Sequence, residues 1–362
     1  MKQKINIPQI SNEQNFWMLR TKSGTFYNEF ITDSFIAIGW NLITQKRVTN
    51  LTRKANEELK KSVDKVYREK RPQMAINKCS RFVNEIKEND FVVIIGTNKV
   101  TIAKIGKYYE LQDNFSIETE LEISEQIEKN SKAIIKCPYI KRRQIEIIKE
   151  IEITKLSPYL INTISANHHS LSSLNDSSNL ILSSCFDMFI REDKFVCTFR
   201  VQQEKDIDPF DYSSFIFYIS KITRLENNKS KVAIKTNVHS AGDVIYEVFQ
   251  FTANHAVLFI AIWCILFGGE FKNIKINSIY SIIKEVIDRK RNVDASNLES
   301  RKKEAEIESV ELDNLKKKLE LVQEYSEDTV KAAQALKIKK LDPNILDINQ
   351  FLSNEEISDG KK

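Results

Sequence analysis

Residues 248–269, VFQFTANHAVLFIAIWCILFGG, carry no formal charge, and within them Ala256 begins a run of apolar residues unbroken to Phe267. No other stretch limits the possible folds so strongly. A membrane-crossing helix needs roughly 20 mostly apolar residues, whereas a run of about 10–14 belongs more often to a buried helix. Gln250, Thr252, Asn254 and His255 dilute the first third, and Gly268-Gly269 closes the run like a helix C-cap. The pattern therefore predicts a helix over 254–269, buried in a core or at an oligomer interface. The competing placement is a conditional membrane segment. Lys272, Lys275 and Arg289-Lys290-Arg291 follow it, so a spanning helix would leave the downstream chain cytoplasmic. The first residues, MKQKINIPQ, have no apolar core of signal-peptide type, so a cytoplasmic location is expected, with membrane association as the alternative.

The 362 residues suffice for two domains. With 41% hydrophobic residues and only 8 Gly and 6 Pro, most of the chain is expected to fold and extended linkers are not. A net charge of +5 permits contact with nucleic acid or anionic surfaces without requiring it. Five scattered cysteines with no C-x-x-C, and four histidines in all, make a disulfide framework or a zinc site a poor fit. No cofactor and no metal is expected. His168-His169 form an adjacent pair, whose side chains diverge on a helix or a strand.

The N-terminal part alternates short strands and amphipathic helices. FWMLR (16–20) and FIAIGW (35–40) suit buried strands, with Lys22-Ser23-Gly24 as a turn after the first. Residues 56–69 place Leu59, Val63 and Val66-Tyr67 on one helical face, and 76–86 predict a second helix through Ile76, Cys79, Phe82, Val83 and Ile86. Glu88-Asn89-Asp90 reads as a turn into the strand FVVIIG (91–96), then VTIAKIGKYYE (100–110). This order suits a small closed β-barrel with helices to one side.

In residue types, FWMLR, FIAIGW, ELKKSVDKVY, RFVNEIKENDFVVI and VTIAKIGKYYE, continued by residues 137–176, resemble the EVE/PUA-like modules at the N-terminus of modification-dependent restriction and related prokaryotic defence proteins. The resemblance covers about half of the chain and rests on pattern. Asn89-Asp90 stands where that family usually has Gly-Asp, and residues 145–148 lack a tryptophan common there. Such modules often bind nucleic acid, some by holding a flipped base against aromatic rings. The resemblance thus implies Trp17, Trp40, Tyr108 and Tyr109 as stacking residues and Lys104, Lys107, Lys141, Arg142 and Arg143 as phosphate contacts. Against it stand plainer roles: Trp17 and Trp40 in the core, and Lys141-Arg142-Arg143 as a solvated strand edge.

The polar stretch after Ser165 marks a boundary near 175–178, giving a recognition domain over 1–178. A second, α+β domain is expected over 179–292, containing the apolar helix. Residues 194–202 alternate as a strand, 213–225 suit strand or helix, and 232–238 and 244–251 suit two strands. Residues 274–287 have helical spacing. A charged helical segment over 293–341 carries Leu312, Leu315, Leu319 and Val322 at the 3-4-3 interval of a short coiled-coil seam, which suits either packing on the chain itself or homo-oligomer formation. Residues 342–362 read as a partly disordered tail.

The chain lacks G-x-S-x-G, Walker and H-E-x-x-H motifs. Glu270-Phe271-Lys272, with Asp243 or Glu247, could supply the carboxylates and lysine of a metal-dependent restriction nuclease, but follows an apolar helix and not a strand. The fold class expected is α+β. The expected function is a non-enzymatic sensor and effector of anti-phage defence that binds nucleic acid or a nucleotide-like ligand and self-associates. A conditional membrane-disrupting effector is the alternative, and a restriction-type nuclease the third choice.

Overall fold

The computed structural model describes residues 8–49, 51–111, 116–129, 135–191, 194–203, 206–224, 232–236, 242–249, 317 and 326–339. The expected helix over 254–269, the Glu270-Phe271-Lys272 triplet, the helix over 274–287, the seam through Leu312 to Val322 and the tail after 341 lie outside these residues. Among the described residues no helix is long and apolar enough to cross a membrane.

The chain divides into two compact units, Ser11–Cys185 and a discontinuous unit of Met1–Ile10 with Phe186–Lys362. The division falls after Cys185, beyond the 175–178 stretch. In the second unit β1 (Gln9–Ile10) pairs in parallel with Ile190 and Arg191.

In the first unit β2 (Phe16–Arg20) and β3 (Phe35–Ile38) form where short apolar runs predicted them, with α1 (Tyr27–Thr32) between. Three helices follow: α2 (Gln45–Val48), α3 (Arg53–Tyr67) and α4 (Pro72–Ser80). Leu59 and Val63 are the buried stripe of α3, and the Thr52 hydroxyl accepts from Ala55 N to cap it. The helix expected over 76–86 changes at Arg81 into a single π-helical turn, Arg81–Glu85. Next come β4 (Phe91–Ile95), β5 (Lys99–Glu110), α5 (Ile117–Lys129) and β6 (Lys141–Glu152). The unit finishes with α6 (Pro158–Ala166), β7 (Leu171–Ser173) and α7 (Ser178–Cys185).

These strands make one six-stranded sheet in the order β3-β6-β5-β4-β2-β7. Only β2 and β4 pair in parallel; the other neighbours are antiparallel. Every residue of β4 is buried, as its unbroken apolar sequence requires, and Phe91 stacks on Phe16 at 4.9 Å. The sheet curls as a half-barrel with β3 and β7 at its margins, in place of the closed barrel expected. Asn89, before β4, takes the left-handed turn conformation (φ 71°) that an asparagine tolerates.

Among the described residues, two apolar clusters of this unit bear on Trp40. One lies against the sheet and includes Trp17, Phe26, Phe30, Phe35, Phe82 and Ile94. The other binds α2, α3 and α4 together through Ile43, Val48, Leu59, Val63, Ile76 and Cys79. Trp40 and Tyr108 pack against both, so these two rings sit where the helical layer meets the sheet.

The second unit contains a five-stranded sheet in the order β1-β8-β9-β11-β10, with β8 (Met188–Arg191), β9 (Lys194–Val201), β10 (Val232–Thr236) and β11 (Gly242–Phe249). The stretch that suited strand or helix is α8 (Pro209–Arg224), and it packs with α9 (Ser326–Ala335). Phe215 and Ile219, four residues apart, are its buried pair, whereas Phe217 is 59% exposed. Period-four burial is helical, which decides between the two readings of 213–225.

Candidate functional site

Strand β3 is buried throughout and delivers the chain to Gly39-Trp40-Asn41. There Trp40 adopts φ +59°. Left-handed backbone is a real outlier for a bulky residue with a Cβ, and such strain persists only where surroundings over-determine it. The surroundings here are polar and converge on one carboxylate. Glu120, buried on α5, accepts from Trp40 N (2.6 Å) through Oε1 and from Asn41 N (2.8 Å) through Oε2. The Tyr67 hydroxyl also donates to Oε2 (2.7 Å) and itself accepts from Leu42 N (3.0 Å).

Lys141 closes the other side, its Nζ donating to Trp40 O at 2.8 Å. The Asn41 side chain donates to Pro138 O and accepts from Ile140 N. Three successive backbone N–H groups therefore face a buried acceptor set, an arrangement that serves a bound anion as readily as a carboxylate. A Cβ on Gly39 would stand 3.0 Å from Glu120 Oε1 and from the Tyr139 ring, which is why glycine precedes the tryptophan. Burial and the Glu120 carboxylate push the Tyr67 phenol well above its usual pKa, so it stays a donor.

The Trp40 ring is half-buried. Its Nε1 donates to Glu69 Oε1 at 3.0 Å, and the Lys78 ammonium lies 5.5 Å from the ring centroid. Glu69 belongs to the tight loop 68–71 between α3 and α4. Arg68 ends α3 in a left-handed conformation, with its N–H on Asp64 O at 2.8 Å, and Pro72 starts α4. Arg68, Lys70 and Arg71 on that loop are all exposed. Tyr108 joins the same junction: its hydroxyl donates to Glu110 Oε1 (2.7 Å), which also accepts from Gln45 N (2.6 Å).

Of the residues that the sequence suggested, the structure gathers Trp40 and Tyr108 with Lys141 and Arg143 buried behind them, and places Trp17, Tyr109, Lys104, Lys107 and Arg142 elsewhere. Trp17 is core: its Nε1 donates to Asp90 Oδ2 at 2.8 Å, and Asp90 also accepts from Asn15 N and Lys87 N. Tyr109 is half-buried opposite Arg142 in the β5–β6 register, one residue from Tyr108 and so on the other face of the strand. Lys104 is half-buried opposite Glu146, and Lys107 is exposed where the β5–β6 register shifts.

The basic run is corrected most sharply. Lys141 is 0% exposed and Arg143 4% exposed. Arg143 donates to Phe82 O (2.9 Å), Val83 O (3.0 Å) and Ile86 O (2.7 Å), carbonyls at the end of the π-helical turn. Arg142 lies 4.0 Å over the Phe35 ring and donates to Tyr139 O and Cys137 O. Lys141 and Arg143 are thus held on backbone carbonyls inside the protein, where a phosphate could not reach them without opening the fold, whereas Arg142 is half-buried.

Sequence reasoning passed over Glu69, Arg68, Lys70, Arg71, Lys78, Tyr67 and Glu120. The first four had a legible signal, since R-E-K-R-P crowds charge into the break between two helices. Glu120 had none, because the acidic run of α5 looks like a solvated helix face.

Compared with known proteins, residues 17–119 match the sequence profile of a family described as a domain of unknown function (DUF8426). The match takes in β2, the Trp40 loop and the 68–71 loop, and ends just before Glu120. No curated protein and no solved structure matches the chain.

Proposed function

We propose that the unit Ser11–Cys185 is an EVE/PUA-like recognition module that binds a nucleic-acid base or nucleotide-like ligand on the face of Trp40. The observation that carries this is the left-handed backbone of Trp40. The fold spends a buried carboxylate and a buried ammonium to hold a half-exposed indole in a conformation it would not choose. A flat apolar face is the part of a binding site that every base can use, and cations nearby serve the phosphates. Arg68, Lys70, Arg71 and Lys78 supply those cations, replacing the run at 141–143. No step of bond chemistry is assigned to the site. The wider role we attach is that of a non-enzymatic sensor in prokaryotic anti-phage defence, with the second unit serving self-association or output.

Fluorescence anisotropy of the full chain with short labelled single-stranded oligonucleotides tests the binding. Trp40→Ala is expected to weaken binding about ten- to a hundredfold, given ~1–3 kcal/mol for stacking one base on an aromatic side chain. Equal affinity of the variant and the parent removes Trp40 from the site.

A further inference from the structure

Glu69 accepts the indole N–H of Trp40 with one oxygen only, Oε1. Among the described residues no donor meets its other oxygen, Oε2. The carboxylate is not a loose surface group. It is half-buried, and the loop that carries it is pinned at both ends by the left-handed Arg68 and by Pro72 at the start of α4. An acceptor with a fixed position at the rim of an aromatic platform is a specificity element, because it meets the edge of whatever stacks on the face.

We infer that Glu69 selects ligands that present an exocyclic amino group at the edge of a ring stacked on Trp40. Cytosine (N4) and adenine (N6) carry such a donor, whereas thymine offers a carbonyl there. A carbonyl facing the free carboxylate oxygen sets two acceptors against each other and forfeits the hydrogen bond that an amino group would make there. Glu69 is flanked in sequence by the exposed cations Arg68, Lys70 and Arg71. Arg68, Lys70, Arg71 and Lys78 keep the rim attractive to a phosphate despite the carboxylate. This inference rests on the Trp40 site proposed above.

The decisive variant is Glu69→Gln in the full chain. The amide oxygen of glutamine can still accept from Trp40 Nε1, so the indole keeps its orientation, while the amide N–H2 turns a donor toward the ligand. With oligo-dC, oligo-dA and oligo-dT of equal length, the parent protein is expected to bind dC and dA about three- to tenfold more tightly than dT, the value of one net hydrogen bond. In the Gln variant that preference is expected to vanish or reverse toward dT. A role confined to holding Trp40 would instead leave the ratio unchanged, and that result overturns the inference while leaving the Trp40 site standing. Binding of all three oligonucleotides with equal affinity by the parent overturns it as well. No binding of any of them by the parent overturns both. Circular dichroism of the variant checks that Glu69→Gln is folded, and Glu69→Ala, expected to lose the preference without reversing it, is the second variant.

Discussion

Glu120 shows how much a single side chain can hold. It takes two backbone N–H groups and a phenol, one of them buried and two part-buried, so its loss leaves donors that water only partly reaches. Glu120→Gln keeps the shape but sets an amide N–H2 against one of those donors. The expected cost is about 1–3 kcal/mol, the range for leaving a buried polar group unpaired. Urea denaturation of the full chain measures it; an unchanged midpoint would show that the Trp40 loop holds itself. The thiols at this scale give a pH prediction. Burial raises Cys79 from an ordinary 9.0 to about 11 and Cys137 to about 12. The folded state therefore keeps protons that the unfolded state releases above about pH 9, so stability falls as pH rises from about 9 toward about 12. Below that window neither thiol contributes any pH dependence. Denaturation midpoints across this interval check the sign, and both thiols are expected to resist alkylation at neutral pH until the protein unfolds.

At the scale of elements, the long-range partner of the π-helical turn is the part that no local pattern could reveal. The apolar positions Ile76, Cys79, Phe82, Val83 and Ile86 were legible as a helical face, and all are buried. The change of pitch at Arg81 was not, because the carbonyls it frees are satisfied by Arg143 from β6. The same contact explains why a three-residue basic run misled: charge in sequence says nothing about which backbone groups will claim it. Arg143→Lys keeps the charge but loses the fork of donors, so it is expected to recover little of the stability lost in Arg143→Ala. Hydrogen exchange over residues 81–86 is the readout, with faster exchange in both variants; protection equal to the parent in the lysine variant would mean that charge alone suffices. Strands β2, β3 and β4 were legible because continuous apolar runs bounded by turns leave few alternatives, whereas α8 was not, since Phe215 and Phe217 fit either period until their burial is known.

For the whole molecule, electrostatics at the 68–71 loop and the division into units give separate expectations. Replacing Arg68, Lys70 and Arg71 together by alanine removes up to three phosphate contacts. The slope of log affinity against log salt for a single strand is then expected to flatten by about 2, at roughly 0.7 per contact. An unaltered slope would place the phosphates elsewhere. The mixed α+β class was legible from the alternation of periods two and 3.6 along the chain. The discontinuity of the second unit was not, because it rests on the two-residue strand β1 finding a parallel partner far away in sequence.

That discontinuity has a consequence for the order of events on the ribosome. Gln9 and Ile10 emerge some 180 residues before their partners Ile190 and Arg191. At about 5–20 residues per second, that is a wait on the order of ten seconds or more. The intervening Ser11–Cys185 has all six of its strands in hand before the second unit has its first pair. Vectorial synthesis therefore lets the inserted unit fold early, while the leading segment stays unpaired until the host sheet around it is made.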